Sequence, residues 1–173
     1  MKDVKLRLIS ELMKNSRRSD RELARAIGVS QPTITRLRAK LEGEGNILEY
    51  TVMPNFVKLG YHLFALTFIN MKTAISPEEA DKVRQIAQEL AKKAPSNIVV
   101  IERGMGLGYT GVVGSFHKDY ASYAELIEEI KRSPHLESKT ESFLINLDDK
   151  IHYRHLTFRT LAEHLLTLKS TEK

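Results

Sequence analysis

The sequence predicts an α+β chain, helical through its first third and alternating strands and helices beyond it. Three observations carry that reading. Apolar residues recur at helical spacing from Val4 to Leu41. A nearly continuous apolar run covers Tyr61 to Met71. Two further amphipathic helical stretches are then interleaved with short β-prone runs. At 173 residues the chain has room for two small domains.

Val4, Leu8, Ile9 and Leu12 define a first helix over about residues 2–15. Asn15 to Arg18 break it, and Ser19-Asp20-Arg21-Glu22 has the pattern of a capping box, in which the serine and glutamate side chains satisfy each other's backbone amides. The second helix carries Leu23, Ala24 and Ile27 and stops at Gly28, which tolerates the left-handed backbone of a tight helix exit. Ser30 caps a third helix to about Glu42, with Pro32 in its first turn and Ile34, Leu37 and Leu41 as its buried stripe. Two short helices joined at Gly28-Val29-Ser30 form a helix-turn-helix. After the turn Gly43 to Asn46, the β-prone Ile47 to Val52 is expected as a hairpin or strand, the wing.

Charge points to the partner of this motif. Residues 1–60 hold 12 Lys and Arg against 7 Asp and Glu, and residues 61–173 hold 15 of each. The whole excess of +5 therefore sits in the first third, where it attracts a polyanion. The expected partner is double-stranded DNA, with residues 31–42 in the major groove. Gln31, Thr33, Thr35 and Arg36 are the expected base contacts: Gln31 suits adenine, Arg36 guanine, and the Thr33 methyl thymine. Arg17, Arg18, Arg21, Ser30, Arg38 and Lys40 are the expected phosphate contacts, which supply affinity and register. The competing reading is a small-molecule-binding protein whose basic helices dock on a protein partner.

Beyond a linker at 53–60, the run Leu63 to Ile69 does not alternate, as a strand with one open face should. Helices can cover one of its faces. A second copy of the sheet covering the other makes the run a hint of dimerisation. Ser76-Pro77-Glu78-Glu79 starts a helix whose face carries Val83, Ile86, Ala87 and Leu90. Strands are expected at Ile98 to Ile101, Tyr109 to Phe116 and Phe143 to Leu147, with a helix over 118–132 between the last two. The order is βαββαβ in one antiparallel sheet. Phe158, Leu161, Leu165 and Leu168 mark an extra C-terminal helix. The divisions are 1–52, a winged helix-turn-helix; 53–60, a linker; 61–150, a dimerisation and effector domain; and 151–173, a helical extension.

From Ser19 to Tyr61 the sequence resembles the Lrp/AsnC family of bacterial and archaeal transcription regulators. The residues that carry the likeness are Glu22-Leu23-Ala24, Ile27-Gly28-Val29-Ser30, Thr33, Arg36, Leu41-Glu42, Gly45, Ile47, Tyr50-Thr51, Pro54 and Leu59-Gly60-Tyr61. Asp3, Leu8-Ile9 and Leu12 look like the same family's opening. The resemblance implies a ferredoxin-like βαββαβ domain, often called the RAM domain. It implies homodimers that assemble further, to tetramers or octamers, and an amino acid or related small-molecule effector bound between subunits. It places the effector region near Gly104, Gly106, Gly108 and Tyr109. There the chain departs from the family: Gly108-Tyr109-Thr110-Gly111 stands where a Gly-x-x-Asp pattern is usual.

Other chemistry finds little support. Gly104 to Gly108 precedes a strand rather than a helix, so it lacks the context of a dinucleotide loop. His152 and His155 share a spacing suited to one helical turn but lack a third ligand, and no metal or cofactor is expected. Cysteine is absent and no G-x-S-x-G elbow occurs, so no enzyme is expected. No apolar run reaches roughly 18 residues and the first residues lack the apolar core of a signal peptide. The expected setting is a reducing cytoplasm, away from membranes.

Overall fold

The computed structural model describes residues 2–71, 77–151 and 156–167. The chain forms two compact units, one of Met1–Met53 with His152–Lys173 and the other of Pro54–Ile151.

The first unit holds α1 (Lys2–Lys14), α2 (Asp20–Ile27) and α3 (Gln31–Gly43). The capping box forms: Ser19 N donates to Glu22 Oε2 at 2.8 Å and Glu22 N to Ser19 Oγ at 3.3 Å. Gly28 ends α2 at φ 81°, in the left-handed region, and its amide donates to the Ala24 carbonyl at 2.9 Å. Ser30 caps α3 by accepting from Thr33 N at 3.3 Å. These termini turn the helices so that Leu8, Leu12, Leu23, Ala24, Ile27, Ile34 and Leu41 close one core, with Val4, Ile9, Val29, Leu37 and Ile47 around it.

The expected wing strand does not form. Residues 47–52 make no ladder; Ile47 seats against the core, whereas Leu48 and Val52 stand exposed. A strand needs a partner for its amides and carbonyls, and none of the described residues supplies one here.

The C-terminal helix belongs to this unit. As α6 (Arg159–Leu165) it lies along α1, where Ser10 is fully buried and donates from Oγ to the Ala162 carbonyl at 2.7 Å. A bond of this kind contributes on the order of 1 kcal/mol net. Ser10 sits on a second stripe of α1 with Leu6 and Met13, opposite the core stripe. The expected span of 155–168 is described only from 156 to 167, and the separate His152-x-x-His155 pair lies outside the described residues.

The second unit is a four-stranded antiparallel sheet in the order β2-β3-β1-β4, from β1 (Leu63–Ile69), β2 (Ile98–Gly106), β3 (Tyr109–His117) and β4 (Glu141–Asn146). With α4 (Pro77–Lys92) and α5 (Tyr120–Arg132) this is the expected βαββαβ order. The proposed cap at Ser76 lies outside the described residues. Residues 54–60 are not a free linker: Phe56 stacks on Phe116 with centroids 4.1 Å apart, and a turn of 3₁₀ helix, Val57–Leu59, ends at Gly60.

The register assigns the sheet two apolar faces. Residues opposite each other in an antiparallel pair share a face. Ala65, Thr67, Ile69, Val113 and Ser115 therefore point one way, and the core includes Ala65, Ile69 and Val113 with Tyr123, Leu126, Ile127 and Ile130 of α5. Phe64, Leu66, Phe68, Val100, Val112, Phe116, Phe143 and Ile145 point the other way. On that face Phe143 is 64% exposed and Val100 36%. Gly114 lies between them in register: a Cβ there would stand 2.5 Å from Val100 Cγ1 and 3.3 Å from Phe64 Cζ. The non-alternating run in β1 thus has a physical reason, since one side meets α5 and the other is apolar and open.

His117 closes β3 on the helix side, 1% exposed, with Nε2 2.8 Å from Ser115 Oγ and its ring edge-on to Tyr123. Burial pushes its pKa below the ordinary histidine value, partly offset by the Ser122 backbone and Asp119.

Candidate DNA interface

Helix α3 has one buried side and one open side. Ile34 and Leu41 are at most 1% exposed, whereas Gln31, Thr33, Thr35, Arg36, Ala39 and Lys40 are exposed. Arg36 and Gln31 make no side-chain ion pair or hydrogen bond among the described residues, so both are available to a ligand. Thr33 is exposed, with its hydroxyl 2.7 Å from Ser30 Oγ. Thr35 is exposed too, but its hydroxyl donates to Asp20 Oδ2 at 2.6 Å, which ties it toward α2.

The basic side chains divide into free and held. Arg17 and Arg21 are exposed and their guanidinium groups form no ion pair among the described residues. Arg18 pairs with Glu11, and the Lys14 and Arg18 partners hold the Glu11 carboxyl below the usual carboxylate range. Lys40 lies 3.5 Å from Glu44 with both side chains about half exposed, a contact that water screens heavily. Ser30 is occupied as the cap of α3.

Arg38 is the most enclosed. Its Nη2 lies 2.7 Å from Asp20 Oδ1 and its guanidinium sits 5.7 Å from the centroid of the Tyr50 ring. Burial opposes its charge, but the bonds to Tyr50 and Asp20 outweigh burial and raise its pKa. Tyr50 in turn donates to Glu42 Oε1 at 2.8 Å. Asp20, Thr35, Arg38, Tyr50 and Glu42 thus form one network that fixes α3 against α2 and seats the segment after it. Sequence reasoning missed this network because neither periodicity nor charge count reveals which cations are enclosed.

In the α/β unit the glycine run forms a hairpin tip. Gly106 pairs with Tyr109, and Leu107 and Gly108 turn at φ 54° and 78°, the geometry of a two-residue type I′ turn. Gly104 lies in β2, and Met105 and Leu107 project into solvent. Tyr109 is 4% exposed, and burial and the neighbouring Glu141 carboxylate raise its hydroxyl pKa, while Asn70 Oδ1 is buried without a hydrogen-bond partner among the described residues. Lys139 sits over the Tyr109 ring at 5.4 Å and also lines an open cleft with Tyr120, Tyr123 and Thr140. No group of three potential metal ligands occurs among the described residues. No described helix is long and apolar enough to cross a membrane.

Residues 3–42 match the AsnC-type helix-turn-helix domain. An uncharacterized HTH-type transcriptional regulator of Pyrococcus horikoshii is 32% identical over 103 residues, 60% of this chain and 64% of that protein. Its crystal structure superposes with a TM-score of 0.69 at 30% identity, covering 88% of this chain and 96% of the other. This chain belongs to the Lrp/AsnC family of transcriptional regulators. Another relative is LrpC of Bacillus subtilis, whose structure aligns with a TM-score of 0.67 at 25% identity over 87% of this chain and 96% of LrpC. A Neisseria meningitidis regulator, solved as a complex with L-Met, shares the fold at a TM-score of 0.70 and 17% identity, over 91% of this chain and 97% of its own. In sequence, the Lrp/AsnC chain described here matches about two thirds or less of the length of its first curated relatives.

Proposed function

We propose that this Lrp/AsnC-family chain is a sequence-specific DNA-binding regulator of transcription. It acts in the cytoplasm as a dimer or higher oligomer. The observation that carries this is α3, whose buried stripe is locked into the core while Gln31 and Arg36 stand free on the opposite side. Arg36 reads a guanine edge, Gln31 an adenine, and Thr33 packs its methyl on thymine. Arg17 and Arg21 clamp phosphate, with Lys40 and the cap at Ser30 beside them. Thr35 and Arg38 serve more as braces of α3 than as readers, because Asp20 holds both.

The open sheet face is the assembly surface. Its exposed Phe143, Val100 and Ile145 continue the apolar side chains of β1, and a second copy can cover them. A small molecule of the amino-acid class binds the α/β unit near the hairpin Gly104, Gly106, Gly108 and Tyr109. In support, Asn70 Oδ1 beside this hairpin is buried without a partner among the described residues, and the Neisseria relative was solved with L-Met. Such an effector changes DNA affinity only by binding two assembly states unequally.

The test is fluorescence anisotropy with the DNA upstream of the chain's own coding region against random DNA, at two salt concentrations. Wild type should bind the upstream DNA more tightly and weaken steeply with salt. Arg36→Ala should lose about 5- to 150-fold on that DNA and flatten the preference. Equal binding of both DNAs, with little salt dependence, would move the basic helices to a protein partner.

A further inference from the structure

The turn that joins α1 to α2 carries two adjacent arginines in opposite states. Arg17 is exposed and its guanidinium forms no ion pair among the described residues. Arg18 is folded back onto α1, where Nη1 meets Glu11 Oε2. The other oxygen of the same carboxylate, Oε1, accepts from Lys14 Nζ at 2.9 Å. Both oxygens of Glu11 are therefore occupied by cations. Those partners, Lys14 foremost, hold its pKa below the usual carboxylate range, so it stays charged at neutral pH.

Three observations set this contact apart from an ordinary surface pair. First, it is partly sheltered from water: the Glu11 side chain is 20% exposed and that of Arg18 35%, against about half for Lys40 and Glu44. Second, the turn is held in place. Arg17 N donates to Asn15 Oδ1 at 3.0 Å, and Arg38 Nη2 reaches the Arg18 carbonyl at 3.5 Å. Third, the turn stands beside the reading helix, since Asp20 accepts from Thr35 Oγ1 at 2.6 Å and pairs with Arg38 Nη2 at 2.7 Å. The other carboxylates of this stretch are committed elsewhere, Asp20 to Arg38 and Glu22 to the capping box with Ser19.

We propose that Glu11 withholds Arg18 from DNA and so sets how many phosphates the basic turn can neutralise. A phosphate that approaches Arg18 meets the Glu11 carboxylate close behind the guanidinium, and that repulsion cancels much of the attraction. Arg17 and Arg21, with no carboxylate paired to them among the described residues, keep theirs. Phosphate contacts add affinity without sequence information, so withholding one leaves a larger share of the binding to Gln31 and Arg36. Glu11 is a positioning residue that acts through Arg18. This rests on the DNA-binding reading above, and the two can fail separately.

The test is anisotropy titration of the full chain with a random duplex at about 50 mM and about 200 mM salt. Wild type, Glu11→Gln, Arg18→Ala and the double variant are compared. Glutamine keeps the shape of the side chain and removes only its charge. Glu11→Gln should bind about tenfold more tightly at the lower salt and about threefold at the higher, the steeper dependence of one added phosphate contact. Arg18→Ala should change wild type by less than about twofold, yet remove most of the gain in the Glu11→Gln background. A merely structural role of Glu11 would not produce that coupling. The upstream duplex should gain by the same factor, since a phosphate contact is blind to sequence. Unchanged binding by Glu11→Gln would overturn the proposal. So would weaker binding with a shallower salt dependence, which would make Glu11 a support that holds Arg18 on a phosphate. A heparin column, which offers charge without bases, separates the two readings. Glu11→Gln should elute at higher salt than wild type, and Arg18→Ala should abolish the shift. If that holds while wild type treats upstream and random DNA alike, the sequence-specific reading fails and the withheld cation stands. If no shift appears while Arg36→Ala loses the preference for upstream DNA, the withheld cation fails alone.

Discussion

The two units solve the same burial problem to different degrees. In the helical unit, Leu8, Leu23, Ile34 and Leu41 are at most 1% exposed, and every side of the core is closed by the chain itself. In the α/β unit only one side of the sheet is closed, and the other keeps Phe143, Val100 and Ile145 in solvent. The first unit is finished as a fold and presents chemistry at its surface. The second is unfinished as a surface, and its exposed apolar side is where association would complete it.

The comparison breaks most visibly at Phe143. Phe143→Asp places a charge on the open face without touching the helix side. The proposed assembly should fall to monomer at micromolar concentration, read by light scattering after size exclusion, because a charge buried between two apolar faces is strongly disfavoured. An unchanged mass would show that this face is not where copies meet.

The opposite perturbation sits in the closed core. Ile34→Ala leaves a cavity beneath α3 and should cost about 2–5 kcal/mol of that unit's stability. Chemical denaturation should show this, with the oligomer mass intact at low denaturant. Loss of the assembly before any unfolding would mean that the two units do not fail separately.

A finer distinction uses pH. His117 is buried neutral, so its folded pKa lies below its unfolded value. Below the ordinary histidine pKa the unfolded chain takes up a proton that the folded chain resists. The stability of the α/β unit should therefore be complete above that value and decline as pH falls beneath it, through the lowered folded pKa. Asp119 attracts the charged form and softens the effect. Urea midpoints of wild type and His117→Gln between pH 5 and pH 8 check this, the variant being flatter. Parallel curves would show that His117 does not feel the burial.

The same contrast explains what could be read in advance. Helices α1, α2 and α3 were legible to within about a residue because caps, turn and stripe are local signals: Ser19 with Glu22, Gly28, Ser30 with Pro32. The chain order βαββαβ followed from the alternation of elements, and the unbroken apolar run of β1 foretold two apolar faces. β2 was read as Ile98 to Ile101 but extends to Gly106, because its far half, Glu102 to Gly106, is an exposed edge without an apolar signature. The wing failed for a related reason: Ile47 to Val52 has strand propensity but no strand beside it. The docking of α6 was hidden because its seat on α1 centres on Ser10, a polar residue that periodicity does not flag. Among the site residues, exposure of Gln31 and Arg36 was legible from the stripe opposite. The enclosure of Arg38 was not, since it depends on Asp20 and Tyr50, which are distant in sequence.

The way β1 and β4 pair has a consequence for how this protein can be taken apart. They run antiparallel as neighbours, with Leu63 opposite Asn146, and the Leu147 amide donates to the His62 carbonyl at 2.9 Å. His62 and Asp148 meet again at 2.6 Å just outside the sheet. The α/β unit therefore begins and ends one strand spacing apart, about 4.8 Å, as an inserted guest does within a host. The helical unit is that host, made of α1, α2 and α3 before the sheet and α6 after it. A graft of a different sensor with adjacent ends would have to replace the whole of Pro54–Ile151, because Phe56 is seated on Phe116, and the sheet can be recut at another loop with its old ends joined by a short turn.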